Sequence, residues 1–174
     1  MLRFPFIIST CLFLWVSVFL NKVDAGEVVK SLDEVKNNIG SETGRTLPRY
    51  ATLKSSVVNM RRGPGKEFKV DWVYHRKHLP VKIVLEYSRW RKIVDFEGYS
   101  GWVHASLLSG KKSLIVVGEN IPLRKKPDNS ASPTAYLQKR LLVFPKLCEG
   151  QWCKVEVNDY VGWVRTDMIW GDTH

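Results

Sequence analysis

The sequence predicts an all-β protein of two small barrels in tandem, and three observations carry that prediction. The stretch YSGWVHASLL at residues 99–108 returns as YVGWVRTDMI from Tyr160, 61 residues further on. A repeat at a fixed offset reports the number of folding units before any element is assigned. From Thr52 onward, short runs of Val, Ile, Leu and aromatics are punctuated by RGPGK, HRKHLP and FEGYSG, a rhythm of hairpins. Val81, Ile83 and Leu85 alternate with Lys82, Val84 and Glu86, close to the period of a half-buried strand with Val84 the exception.

The first 25 residues have a different character. Arg3 gives a short positive start, Phe4 to Leu20 is mostly apolar, and Val23-Asp24-Ala25 offers a signal-peptidase site. The reading is a secretory signal over 1–25 that is cleaved, so that the mature chain is periplasmic or extracellular. An uncleaved membrane anchor is the alternative, because a 17-residue run is near the lower limit for spanning a bilayer. The absence of a basic stop-transfer cluster after Leu20 favours cleavage.

Residues 26–51 form a linker. Val28, Leu32, Val35 and Ile39 fall at helical spacing and Gly40 to Gly44 would stop such a helix, so the segment is either one short docked helix or a flexible stalk. The first barrel is expected over 52–110 and the second over 111–174, joined at Ser109-Gly110-Lys111. Val58 to Pro64 is echoed by Ile121 to Pro127, Trp90 to Val94 by Trp152 to Glu156, and Trp102 by Trp163. The paired tryptophans are 12 residues apart in the first unit and 11 in the second, so one hairpin turn differs by one residue. Gly101 and Gly162 are expected to permit a tight or bulged backbone. Units this small bury a limited core, and most of the seven tryptophans are expected to serve packing.

Without the signal two cysteines remain, Cys148 and Cys153 in KLCEGQWCK. Glu149-Gly150 are turn residues between two strand-like runs, which sets the two Cβ atoms opposite each other across a hairpin. In an oxidising compartment that arrangement favours a disulfide over two buried thiols. A zinc site would need four ligands, and no second cysteine pair exists.

As a set, these motifs resemble the bacterial SH3-like family. Asn59-Met60-Arg61-Arg62-Gly63-Pro64-Gly65 matches its N-hydrophobic-R-x-G-P-G motif. Trp90 to Val94 is similar to its Trp-x-Lys-Val strand, with Ile93 in the Val place, and Gly101 to Leu108 to its Gly-Trp-Val terminus. The second unit keeps Leu123-Arg124 but has Lys125-Lys126-Pro127 where the glycines would stand. The resemblance implies barrels of five or six strands acting as binding or scaffolding modules outside the cytoplasm, often connected with the cell wall.

The chemistry follows from what is present. With 44% hydrophobic and 25% charged residues the chain is globular, and a net charge of +10 favours anionic partners. His75 and His78 have an HxxH look, but the two cations between them repel a metal, and only Asp71 lies close by. No Ser-His-Asp set or activated cysteine stands out, so neither catalysis nor a cofactor is expected. Arg61, Arg62, Arg89, Arg91, Lys92 and Arg124 to Lys126 could face nucleic acid, but an export signal removes the chain from most of it. The leading reading is a non-catalytic binding module of the cell envelope, for peptidoglycan, peptide or anionic wall polymer. The alternative is a structural spacer holding another envelope protein. The expected contact residues are Trp72, Tyr74, Arg89, Trp90, Tyr99 and Trp152, which join aromatic faces for sugars and peptides to a cation for carboxylates.

Overall fold

A computed structural model describes residues 38–173. The expected signal over 1–25 and the apolar positions Val28, Leu32 and Val35 lie outside the described residues. Ile39, the last position of the expected helix, instead bridges Thr46 in a short hairpin. The hairpin is closed by the Gly40 amide on the Arg45 carbonyl at 2.8 Å and the Gly44 amide on the Gly40 carbonyl at 2.9 Å. Gly44, at φ +64°, takes a left-handed conformation that favours the turn over a continued helix.

Fourteen strands follow. The first seven are β1 (Arg49–Leu53), β2 (Val58–Arg61), β3 (Val70–Tyr74), β4 (Pro80–Tyr87), β5 (Trp90–Val94), β6 (Ser100–His104) and β7 (Leu108–Ser109). The second seven are β8 (Leu114–Val116), β9 (Ile121–Arg124), β10 (Pro133–Leu137), β11 (Leu142–Glu149), β12 (Trp152–Val157), β13 (Tyr160–Arg165) and β14 (Ile169–Gly171). They make two antiparallel sheets, ordered β3-β2-β6-β5-β4-β1-β7 and β10-β9-β13-β12-β11-β8-β14. Strand for strand the orders are the same, so the sequence repeat is a repeat of topology. Each sheet has seven strands rather than five or six, the additional ones being very short.

Local details repeat too. The register of β4 on β5 slips between Ile83 and Leu85, and that of β11 on β12 between Pro145 and Leu147. This bulge explains why Val84 breaks the alternation, because one extra residue shifts the faces of those after it. After each Gly-Trp-Val a 3-10 turn follows, Ala105–Leu107 or Thr166–Met168. The one-residue difference sits between β5 and β6. There Phe96-Glu97-Gly98 forms the turn inside the Asp95 amide's hydrogen bond to the Tyr99 carbonyl, whereas Val157 pairs directly with Tyr160 around Asn158-Asp159.

The repeated glycine has a cause other than a bulge. A Cβ on Gly101 would lie 2.9 Å from the Arg61 carbonyl oxygen, and one on Gly162 would lie 2.8 Å from that of Arg124. The neighbouring strand approaches too closely for any side chain.

Each sheet encloses its own core, one around Leu53, Val81, Ile93 and Val103, the other around Leu123, Val143, Val155 and Val164. The two are joined through β8. Leu114 and Val116 belong to the second core, while Ile115, pointing the other way, is buried in the first. Trp170 meets Tyr50 edge-on at 5.2 Å, and the Ser113 hydroxyl donates to the His78 carbonyl at 2.5 Å. Arg76 donates to the Arg140 carbonyl at 2.7 Å, and Arg140 pairs with Glu97.

The disulfide is present. Cys148 and Cys153 are direct cross-strand partners with Cα atoms 4.0 Å apart, and Cys153 is buried in the second core. The matching pair in the first sheet is Glu86 and Arg91. Both are buried, and the Arg91 Nε lies 3.4 Å from Glu86 Oε1.

Candidate functional site

Strands β2, β6 and β5 turn one set of side chains into the core and the other outward. Val58, Met60, Ile93 and Val103 go inward. The period of two then puts Asn59, Arg61, Trp90, Lys92, Trp102 and His104 on the opposite face. The register sets Trp90 opposite His104, and Trp102 opposite both Lys92 and Arg61. Along this face runs a groove of about 210 Å³ lined by Asn59, Arg61, Lys66, Trp90, His104 and Leu107, among others.

Each of these side chains is held by a local cause. Trp90 meets the His104 ring edge-on, with centroids 5.4 Å apart. His104 Nδ1 is 2.7 Å from the Ser106 hydroxyl, which fixes the ring at the start of the 3-10 turn. Arg61 donates to the carbonyls of Lys66 and Phe68 at 3.0 and 2.7 Å, clamping the glycine-containing loop that carries Lys66. Arg124 performs the same clamp on the Ala131 carbonyl at 2.6 Å, so the second loop keeps its tether without the glycines. These arginines, which composition alone would offer to an anionic partner, are partly spent on the fold.

The second barrel departs from the first at the same face. Arg165 stands where His104 does, opposite Trp152, and donates from Nε and Nη2 to the two Asp167 carboxylate oxygens at 3.0 and 2.9 Å. The hydrogen bonds from Arg165 hold the Asp167 carboxyl below the usual range. Pro122 replaces Asn59. The face around Trp152 is thus locally neutralised.

The structure separates the six expected contact residues. Trp90 lies in the groove and Trp152 on the corresponding face of the other barrel. Trp72 and Tyr99 come together as a stacked pair, centroids 5.7 Å apart and planes 7° from parallel, and are 48% and 54% exposed. Among the described residues the second barrel has no such pair, since Ala135 takes the register position of Trp72. Arg89 is an exposed residue of the turn between β4 and β5, and its carbonyl accepts the Ala105 amide at 2.8 Å.

Tyr74 is a correction. It is only 5% exposed, and its hydroxyl donates to Asp95 Oδ2 at 2.9 Å. Burial, together with the charge of Asp95, pushes the phenol pKa well above its ordinary value. Asp95 also accepts the amides of Glu97 and Tyr99 at 3.0 and 2.9 Å, so Tyr74 braces the turn that presents Tyr99. Its role is in the core, behind the surface. The residues that sequence reasoning missed are Asn59, Lys66 and His104; the alternation of Asn59 with Arg61 and the pairing of Trp90 with the Gly-Trp-Val strand were the available signals.

A family model described as bacterial SH3 domain matches twice, over residues 54–110 and 117–171. The chain belongs to the bacterial SH3 domain family. Bacterial SH3 domains are typically non-catalytic binding modules, and membership points to a cell-wall-related one. With the disulfide, it also suggests an extracytoplasmic setting. No curated protein matches the chain. Among solved structures it is similar to NlpC2 from Trichomonas vaginalis, at 11% identity and a TM-score of 0.33 over 72% of this chain and 48% of that one. It is likewise similar to NlpC1 from Trichomonas vaginalis, at 10% identity and a TM-score of 0.33 over 77% of this chain and 49% of that one. The chain spans about half the length of these two proteins.

Proposed function

We propose that the groove beside Trp90 binds cell-wall glycan or its attached peptide, making the protein a non-catalytic binding module of the cell envelope. The observation that carries this reading is Trp90, half-buried and propped edge-on by His104, beside the exposed cation Lys66 in a groove of the fold's outer face. An indole stacks on the C–H face of a sugar or on an apolar side chain, while an ammonium attracts carboxylates. The stacked Trp72–Tyr99 pair offers a second aromatic surface of the same chemistry.

Sedimentation of the purified protein with peptidoglycan tests the reading. Wild type is expected in the pellet and to be released by salt, Trp90→Ala in the supernatant, and Trp152→Ala in the pellet. Equal sedimentation of wild type and Trp90→Ala overturns it. A second reading, a spacer that holds another envelope protein, is favoured by one feature: Ile115 and the Tyr50–Trp170 contact tie the barrels together. Wild type that stays in the supernatant at low salt supports the spacer.

A further inference from the structure

We propose that the cleft beneath the N-terminal hairpin is a separate site for a carboxylate, of the kind that ends a short peptide with small apolar side chains. The cleft, about 380 Å³, is lined by Arg45, Arg49 and Arg91 and by Tyr50, Ala51 and Leu108, among others. It lies outside the groove of Trp90 and does not depend on that reading.

Charge accounting leads to the ligand. Three arginines line the cleft, and the carboxylate Glu86 meets two of them, Arg49 and Arg91, with its oxygens already taken. Oε1 accepts from Arg49 Nη2 at 2.7 Å and from the Thr43 hydroxyl at 2.8 Å, while Oε2 accepts the amides of Thr43 and Glu42 at 2.9 and 3.0 Å. Arg91 is tied down by its Nη1 bonds to the carbonyls of Ser88 and Trp90, both 2.8 Å. Arg49 is different: its Nη1 is buried and has no hydrogen-bond partner among the described residues. Arg45 is exposed, and its guanidinium has no ion pair among the described residues. One carboxylate against three arginines leaves the cleft with an excess of positive charge, which an entering anion would offset.

A guanidinium fork matches the two coplanar oxygens of a carboxylate. Phosphate could also meet the fork, but the apolar wall of Ala51 and Leu108 rewards carbon next to the anion. That combination describes a peptide C-terminus bearing a methyl group better than a free inorganic ion.

Calorimetric titration of the whole chain with N-acetyl-alanyl-alanine, its C-terminal amide and inorganic phosphate tests the site. The side-chain NMR signals of Arg45 and Arg49 are followed in parallel. Saturable binding of the acid is expected, with those two signals shifting and with affinity for the amide and for phosphate lower by about tenfold or more. Arg45→Gln, a substitution at an exposed side chain with no ion pair among the described residues, is expected to weaken the acid about tenfold. Trp90→Ala is expected to leave its affinity unchanged. Equal affinity for acid and amide, equal affinity for phosphate, or undiminished binding by Arg45→Gln would each overturn the proposal.

Discussion

Replacing Glu86 by alanine should be among the most damaging single changes in the first barrel. Its side chain is fully buried and accepts four hydrogen bonds from the N-terminal hairpin and Arg49, beside a fifth contact, from the cationic Arg91. Removing one member of a buried ion pair costs about 3–5 kcal/mol, because the other is left as an uncompensated charge. Here the stranded groups differ. Glu42 and Thr43 are exposed and regain water when the hairpin lifts, whereas Arg91 is buried in the sheet and cannot. The lower end, about 3 kcal/mol, is therefore expected. Urea unfolding of Glu86→Ala against wild type measures it, and amide exchange at Glu42 and Thr43 reports the hairpin separately.

The pH dependence gives a second handle on the same residue. Burial raises the Glu86 pKa, but the hydrogen bonds from Thr43, Arg49 and the backbone of Glu42 and Thr43 outweigh it, so the folded value lies below the ordinary one. A depressed folded pKa means that the unfolded chain takes up the proton first as pH falls. The contribution is complete above the unfolded value of about 4.3 and is lost as pH drops through the folded value. Glu86→Gln should therefore flatten part of the decline in stability below about pH 4.3. A loss under about 1 kcal/mol in Glu86→Ala, unchanged exchange at Glu42 and Thr43, and an acid limb identical in Glu86→Gln would together refute the reasoning.

Three further outcomes are expected. Cys153→Ser should lower the stability of the second barrel by roughly 2 kcal/mol, the chain-entropy value for so short a loop, and reductant should change the melt of wild type but not of the variant. Gly162→Ala should cost about 1–3 kcal/mol because its Cβ would press on a backbone carbonyl that cannot yield, while Gly110→Ala, with nothing within 4 Å, should be near neutral in the same denaturation assay. Ile115→Ala should cost about 2–5 kcal/mol and, because Ile115 is the second unit's residue in the first core, should split a joint thermal transition into two in calorimetry; a single, merely shifted transition would contradict that.

What the sequence determined by itself was whatever depends on near neighbours in the chain. The 61-residue echo fixed two units of one topology. Period-two alternation located β4, the echo of Trp90 to Val94 in the second unit located β5, and a turn between two strand-like runs brought Cys148 to Cys153, because a hairpin's register follows from its own few residues. Trp90 was legible as a candidate because it opens a stretch that returns at Trp152 and offers an aromatic face.

Only the tertiary structure decided which distant groups share a space. Tyr74 looks like an exposed aromatic in the chain, yet Asp95, 21 residues away, takes its hydroxyl and places it in the core. Glu86 and Arg91 read as ordinary surface charges of a hairpin until the segment at Glu42 and Thr43 folds over them. Ile39 fits a helical spacing but bridges Thr46, since the hairpin's amides gain a buried carboxylate that a continued helix would forgo. Ile115 sits in a run of four apolar residues, Leu114 to Val117, and no periodicity tells that its side chain crosses into the other barrel's core. The burial and pairing of a side chain are set by whatever long-range contact removes water from it. Contacts of that kind leave no spacing in the sequence to be read.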